Sequence, residues 1–498
     1  MRKLKSVSAL MLGLLSSCSL IPTYHRPSMA VSAGYPDAGG GSGPAAADIG
    51  WKQFFRDPAL QDLISLSLAN NRNLRVSVLN VEEAQANYRV SRASLFPTID
   101  GAASLDRTHT PANLNGGQVG DVRDYSLGAE AVSWELDLFG KIRSEAKANH
   151  ETYLSEADTA LSAKISLVAE VSSEYYTWLA DRQSLRIAQN TAMADQKTLT
   201  LTQLELSHGT ATAMDVAQAQ ITYQKAMADV AQYQRQVGQD MDQLVLLVGA
   251  PIPADVQKKM DAITGLSDEP ALPQVPAGLP SDLLTRRPDI RAAEHSLLAA
   301  NANIGAARAA FFPSISLTAS GGFASNSLSD LFGAGQSSWV FQPQITIPIF
   351  TAGANMANLD LADLEKKVQI ATYQETIQSA FHDVSDALVA RQTYVDQVDA
   401  QQKLVNADTR YYQLALMRFK AGIDNYLNVL VAQDSLLSAR LTLVSLQLAQ
   451  QQNEITLYKA LGGGWEANGS APVPQTPATT PAKAQTQPPG QPAKLMTD

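Results

Sequence analysis

The chain has 498 residues, with 38 Lys or Arg against 48 Asp or Glu, so its formal net charge is −10. This acidic balance argues against a nucleic-acid partner, because no basic surplus exists to neutralise phosphates. The single cysteine excludes a disulfide framework and a cysteine-based zinc site. A hydrophobic content of 45% with a mean hydropathy of −0.11 excludes both wholesale disorder and a helical membrane protein.

The N-terminus has the pattern of a bacterial lipoprotein leader. A basic segment is followed by the apolar run Ala9–Leu15, which is too short to span a bilayer, and small residues then precede Cys18. In the lipobox that this segment resembles, Cys18 is acylated, the leader is removed, and the acyl chains hold the protein on a membrane. Ser19 replaces the aspartate that commonly retains lipoproteins in the inner membrane, which favours the outer membrane. The alternative is a leader with an incidental cysteine.

The rest of the chain is an internal duplication. A helical stretch that begins at Asn73 and ends at Ile99 recurs without a gap from Asp289 to Ile315. Three glycines of each half also correspond at a constant separation: Gly140, Gly209 and Gly249 with Gly353, Gly422 and Gly462. The two halves are therefore predicted to share one architecture, as in proteins built from repeated units.

Each half contains two strand-like stretches after its first helix. Apolar and polar residues alternate in Ser314–Phe323 and in Trp339–Phe350, and the first half shows a weaker version of the pattern. Such alternation over about ten residues is the length that a tilted outer-membrane strand needs. A soluble two-sided sheet is the alternative. Pro343 and Pro348 are unusual for an inner strand, because each removes a hydrogen-bond donor.

Each half then continues into a very long helix. Residues 141–208 and 354–421 contain neither Gly nor Pro over 68 positions each, and a continuous helix of that length would measure about 100 Å. The segments that follow carry apolar residues every seven positions, which is typical of a coiled-coil seam. Each half is therefore predicted to form an antiparallel helical hairpin that turns near Gly209 or Gly422.

Low-complexity segments suggest where the parts of the chain begin and end. Prolines punctuate a connector between the halves, and three glycines open a tail rich in Pro, Thr, Gln and Ala, which is predicted to be disordered. The predicted organisation is a lipoprotein leader (1–17), an extended N-terminal lead (18–58), the first repeat (59–249), a Pro-rich connector (250–280), the second repeat (281–462) and a disordered tail (463–498).

The sequence contains no recognisable catalytic, cofactor-binding or metal-binding constellation. The six histidines lack metal-ligand spacing, the P-loop pattern is incomplete at Gly140-Lys141, and no Gly-x-Ser-x-Gly motif occurs. The chain is therefore predicted not to be an enzyme and to use neither a cofactor nor a metal.

Four membrane strands in one chain cannot close a sheet by themselves. Open sheet edges are not tolerated in hydrocarbon, so closure requires further copies of the chain. Two copies would give roughly eight strands with a filled interior, whereas three give about twelve and leave room for a lumen. A lipidated trimer whose barrel continues into long helices is predicted to be a conduit.

The sequence resembles the TolC-like outer-membrane efflux family, specifically the lipoprotein exit ducts of resistance-nodulation-division pumps. The resemblance covers nearly all of residues 18–462. Its motifs are Cys18 with Pro22-x-Tyr24-x-Arg26-Pro27; Trp51-x-x-Phe54 with Asp57-Pro58-x-Leu60; Trp134-Glu135-Leu136-Asp137-Leu138-Phe139-Gly140; Leu284-x-Arg286-Arg287-Pro288-Asp289-Ile290; and Gly422-x-Asp424-Asn425-Tyr426-Leu427.

The resemblance implies a mainly α-helical chain with membrane β-strands. Three chains would form a twelve-stranded barrel, four strands from each, continued by a long α-helical barrel. The protein would be lipid-anchored in the outer membrane, with a periplasmic helical extension. It would contact outer-membrane lipid, a periplasmic adaptor protein and an inner-membrane resistance-nodulation-division pump, and would export drugs or other small solutes.

The resemblance also places a periplasmic gate at the hairpin turns. Asp424 and Asp215 lie at these turns, and in a trimer each would form a ring of carboxylates that filters charge. The alternative for Asp424 is that it only caps the returning helix. Arg418 and Lys420 are expected to be solvated, and the alternative is that they pair with neighbours or dock the adaptor. Asp424 occupies the place where some family members carry a basic gate residue, so a salt-bridged gate is not expected.

Two other functions remain compatible with these patterns. One is the exit duct of a type I protein-secretion system, against which lipidation and the Arg286-Arg287-Pro288-Asp289 pattern argue. The other is a structural coiled-coil lipoprotein without a pore, which conductance measurements in a planar bilayer would distinguish from a channel.

Overall fold

A computed structural model describes residues 19–28, 31–32, 34–35, 45–111, 120–268, 272–278 and 282–464. Cys18, the leader and most of the tail lie outside the described residues. We number the helices and strands in chain order as α1 Trp51–Phe54, α2 Pro58–Asn70, α3 Arg72–Ala93, β1 Asp100–Thr110, β2 Gly120–Leu136, α4 Lys141–Ser207, α5 Ala213–Val248, α6 Ala254–Ala262, α7 Leu283–Arg286, α8 Pro288–Ala309, β3 Ser314–Ser325, β4 Ser337–Thr346, α9 Ala354–Lys420 and α10 Tyr426–Ala460.

The two predicted helical hairpins are present. Helices α4 and α9 have 67 residues each and are therefore about 100 Å long. Each packs on the helix that returns after it, and the interface is built largely from alanine and branched aliphatic residues. In the first hairpin, Ala188 and Ala192 lie against Ala226 and Val230. Small side chains at these positions let the paired helices approach closely.

Helix α10 is unusually apolar. Among the described helices it is the one whose length and composition would allow it to cross a membrane. In its most apolar stretch, 39% of the residues are buried inside the chain. Its Leu436, Ala439 and Leu443 pack against Val405 of α9. Packing within the second hairpin therefore accounts for much of its apolar character.

The four strands form one antiparallel sheet in the order β1-β2-β3-β4. The register places apolar residues of neighbouring strands side by side, for example Phe341 opposite Ala319, and Ala319 opposite Ala131. The apolar face is open: Trp339 is 77% exposed and Ile345 is 63% exposed. The opposite face carries mainly Ser, Thr, Gln, Asp and Glu. This is the alternation of a membrane barrel strand, apolar outside and polar inside.

An irregularity in β2 explains why the first half shows the weaker strand pattern. The pairing with β3 shifts between Ala131 and Trp134, where β2 contains one residue more than its partner. Ser133 adopts a positive φ of 54° at this bulge. The extra residue changes the phase of the alternation, so Trp134 lies on the same apolar face as Ala131 although the two are three positions apart.

A large aromatic and aliphatic core lies where both halves meet, around the middle of α4 and α9. Phe54 stacks on Tyr458 with ring centroids 4.0 Å apart. Asp57 caps α2 by accepting a 2.8 Å hydrogen bond from the Ala59 amide, and it also accepts one from the Tyr175 hydroxyl. The connector contributes α6 to this core, a helix that the sequence patterns do not predict.

Candidate channel gate and membrane attachment

Both hairpin tips turn at a glycine with left-handed backbone. Gly209 has a φ of +75° and Gly422 a φ of +70°. At the first tip, the amide of Thr210 donates to the Glu205 carbonyl at 2.9 Å, and that of Gly209 donates to the Leu206 carbonyl at 3.0 Å. This pair of hydrogen bonds is a Schellman motif, which requires the left-handed conformation that glycine adopts without strain. The second tip repeats it around Gly422.

Asp215 belongs to a capping box at the start of α5. Its backbone amide donates to the Thr212 hydroxyl, and its carboxylate accepts from the Thr212 amide at 2.8 Å and from the Thr212 hydroxyl at 2.7 Å. These hydrogen bonds to the ionised form lower the pKa of Asp215. The side chain therefore stays charged at neutral pH while it fixes the start of the returning helix.

Asp424 has a different partner at the second tip. Its carboxylate accepts hydrogen bonds from Arg418, with Nε–Oδ2 at 2.5 Å and Nη2–Oδ1 at 3.4 Å. The hydrogen bond from Arg418 lowers the pKa of Asp424. The residue at the N-cap of α10 is Asn425, and no side-chain cap hydrogen bond is formed there.

The ion pair decides between the two alternatives for Arg418. Arg418 pairs with a neighbour instead of being solvated, and a salt bridge exists within this tip. The physical cause is the turn itself, because the Ile423 amide bonds the Arg418 carbonyl at 3.0 Å and so folds the chain back over the last turn of α9. Asp424 is thereby brought within reach of a side chain six residues earlier. It does not act as the side-chain cap of α10.

The two hairpins are joined to each other a few turns above the tips. Lys225 of α5 binds Asp434 of α10 at 2.7 Å, and both residues line an open cavity of about 390 Å³. On another wall, the buried Asp195 of α4 accepts a hydrogen bond from Gln433 of α10. Burial raises the pKa of Asp195. Sequence patterns do not reveal these contacts, because each joins residues more than 200 positions apart.

The N-terminal lead is held along α8. Arg26 binds both carboxylate oxygens of Glu294, with Nε–Oε1 at 2.8 Å and Nη2–Oε2 at 2.7 Å, and Tyr24 donates to the same group at 3.1 Å. Farther along α8, Asn301 donates to the Pro22 carbonyl at 2.8 Å. The lead therefore runs toward the strand end of α8. These contacts give the Tyr24-x-Arg26 motif a structural role.

The structure offers no metal centre in the described part of the chain. No group of three or more His, Cys, Asp or Glu residues within it is arranged to hold a metal ion. The arrangement instead consists of an open sheet with an apolar outer face, two long hairpins, and charged turns at the far end. Such an arrangement suits a conduit for solutes.

Comparison with known proteins agrees with this geometry. The model of the outer membrane efflux protein family matches residues 63–250 and 279–463, which are the two halves of the duplication. The toluene efflux pump outer membrane protein TtgC of Pseudomonas putida is 47% identical over 465 residues, covering 92% of this chain and 95% of that protein. The cation efflux system protein CusC of Escherichia coli is 40% identical over 455 residues, covering 91% and 97%.

A solved structure gives the same result for the fold. The open state of the MtrE outer membrane channel of Neisseria gonorrhoeae superposes with a TM-score of 0.83 and 38% identity. The match covers 91% of this chain and all of that channel. The prediction of membrane strands continued by long helices is therefore confirmed.

Proposed function

Since the chain belongs to the outer membrane efflux protein family, we propose that it works as a homotrimer, together with a periplasmic adaptor protein and an inner-membrane pump. The protein is the outer-membrane channel of a resistance-nodulation-division efflux system, and its helices extend into the periplasm. The type I secretion duct and the pore-free lipoprotein lose support, because the relatives above are components of efflux systems.

The trimer is supported by the two free edges of the sheet. Within the described residues, strand β1 pairs with β2 alone, and β4 pairs with β3 alone. Unpaired backbone groups are costly in hydrocarbon, so β4 of one chain should pair with β1 of the next. Pro343 then lies in a strand that is an edge within its own chain and inner only in the assembly.

The test of this proposal is the assembly state together with conductance. Native mass spectrometry in detergent should show a trimer, and the same preparation should form ion-conducting pores in a planar bilayer. A stable monomer that keeps its strand content would refute the closed barrel. A trimer without conductance would refute the channel.

We further propose that Cys18 carries the lipid anchor. The support is the lipobox together with the path of the lead, which brings Ser19 toward the strand end of α8. Cys18→Ser should abolish lipidation, because serine supplies no sulfur for the thioether. Mass spectrometry of the membrane fraction decides the matter, and an unmodified Cys18 in the wild type would disprove it. The barrel should still assemble in the variant, because it is a second attachment to the membrane.

The substrate class proposed here is small organic solutes. The support is the 47% identity to a pump component named for toluene, against 40% for one named for cation efflux. In a host that lacks its own solvent-efflux channel, expression with the cognate adaptor and pump should restore growth in the presence of toluene. Restoration of tolerance to a toxic cation without toluene tolerance would contradict the assignment.

For the gate, we propose that the paired charges of Arg418 and Asp424 surround the pore axis in the trimer. Asp424→Asn would then leave Arg418 uncompensated and lower the preference for cations, whereas Arg418→Gln would raise it. The reversal potential across a salt gradient should shift in opposite directions for the two variants. The shifts should be largest at low salt and fade in about 1 M KCl, where charges are screened beyond roughly 3 Å.

The corresponding change at the first tip is Asp215→Asn. Asparagine can still accept the cap hydrogen bonds, so this variant tests whether the Asp215 carboxylates form a second charged ring. Unchanged reversal potentials in both Arg418→Gln and Asp424→Asn would show that the second tip does not line the pore.

A further inference from the structure

The register of β1 and β2 places two arginines on one face of the sheet and two aspartates on the other. Arg107 lies directly opposite Arg123, and in the preceding row Asp106 lies directly opposite Asp124. Successive residues of a strand point to opposite faces, so the two arginines share one face and the two aspartates the other. The arginine face is also that of Leu105 and of the apolar band. In a closed barrel, this face looks toward lipid and the aspartate face toward the lumen.

The arginine pair lies at the outer end of the apolar band. The row before it contains Leu105 and Tyr125, and the row after it contains His109 and Asp121. The strands then run into the hairpin loop, at the end of the sheet that is farthest from α3. On the same face, the apolar residues stop where the arginines begin. This is the level of the lipid headgroups in the outer leaflet.

The positive charge at this level is only partly compensated. Asp121 binds Arg107 at 3.4 Å and His109 at 2.6 Å. Within the described residues Arg123 forms no ion pair, and the Arg107 side chain is 59% exposed. Like charges placed directly opposite on two strands are destabilising unless an anion lies between or near them. Two exposed guanidinium groups side by side suit phosphate oxygens, which arginine binds in a bidentate fashion.

We propose that Arg107 and Arg123 form a docking site for the phosphate groups of an outer-leaflet glycolipid. The site rests on the closed barrel proposed above, because closure is what makes the arginine face a lipid-facing one. Anionic headgroups attract basic residues at the membrane surface. Phosphate bound there would relieve the repulsion between the two arginines and hold the extracellular end of β1 and β2 in the headgroup layer.

The test measures binding of lipid A to the purified full-length protein by native mass spectrometry. Diphosphorylated lipid A and its dephosphorylated form are titrated against the wild type, Arg107→Gln/Arg123→Gln, and the control Asp106→Asn/Asp124→Asn. The control changes the same two strands on the lumen face. The wild type and the control should prefer the phosphorylated lipid by about tenfold, and the arginine variant should lose this preference while remaining a trimer.

Two results would overturn the site: no preference for phosphate in the wild-type trimer, or the same preference in the arginine variant. A wild-type protein that is not a trimer would refute the closed barrel and the lipid site with it. A conducting trimer that ignores the lipid phosphates would remove the lipid site and leave the proposed function intact.

Discussion

Replacing Gly322 by alanine should prevent most of the protein from reaching a folded trimer. Gly322 of β3 lies opposite Gly128 of β2, and the two backbones approach closely. A Cβ atom at Gly322 would lie 2.5 Å from the Gly128 Cα and would also overlap the Leu127 carbonyl. These are backbone atoms that cannot rotate away, so the strands would have to separate. The cost should exceed the about 1–3 kcal/mol of ordinary overpacking.

Gly321→Ala is the matched control for this experiment. It is the neighbouring residue of the same strand, and a Cβ atom there would meet nothing within 4 Å. Both variants should be refolded or extracted in detergent, and the trimer yield should be measured by native electrophoresis. Gly321→Ala should assemble as the wild type does. Equal trimer yields for the two variants would show that the strand pair can widen without penalty.

Arg287→Met should weaken the packing of the start of α8 against α9 and α10 within the second repeat, at a cost of about 1.5–3 kcal/mol, which is typical of losing hydrogen bonds to charged groups. The Arg287 side chain is only 12% exposed, and it binds Asp289 at 2.6 Å and Asp383 at 3.5 Å. It also donates to the Ala460 carbonyl at 3.0 Å, at the end of α10. Methionine fills the volume but removes the donor to the Asp383 carboxylate and to the Ala460 carbonyl. Asp289 keeps the hydrogen bond from the Ile290 amide.

Arg286→Met provides the comparison one residue away. Arg286 is 34% exposed and binds Asp48 at 3.0 Å, so its loss should cost about 0–1 kcal/mol. Thermal unfolding of the detergent-solubilised protein, followed by circular dichroism, should show a much larger drop in Tm for Arg287→Met. Similar drops for both variants would mean that the buried network adds little beyond an ordinary surface pair.

The sequence predicts the large elements well, because each has a signal that is local in the chain. Runs without Gly or Pro reveal α4 and α9, and a seven-residue spacing reveals the helices that pack against them. Alternation reveals β3 nearly to its end, but it places β4 at Trp339–Phe350, whereas the strand spans Ser337–Thr346. It reveals β2 only up to Ala131, since the bulge at Ser133 changes the phase of the pattern while the strand continues to Leu136.

Contacts between distant residues could not be predicted in the same way. The partner of Arg26 is Glu294, and the partner of Asp195 is Gln433, and nothing near either residue in the chain points to the other. The pair of Arg418 and Asp424 is local, yet it depends on the backbone of the turn, which places a residue beyond the helix over its last turn. From the sequence, Arg418 is expected to be solvated and Asp424 to form a carboxylate ring or to cap the helix.

Because the lead is fixed along α8, the proposed lipid anchor would be a short tether. Only Ser19 separates Cys18 from Leu20, whose carbonyl accepts a 3.5 Å hydrogen bond from Arg308 near the start of β3. An extended residue spans at most about 3.6 Å, so acyl chains attached to Cys18, as proposed above, would enter the membrane close to the foot of the barrel. The hairpins below act as levers of about 100 Å, and a sideways force on their tips produces a large torque at the membrane. Three such anchors, one on each chain of the trimer, would oppose that tilt because they attach to the membrane on all sides of the barrel.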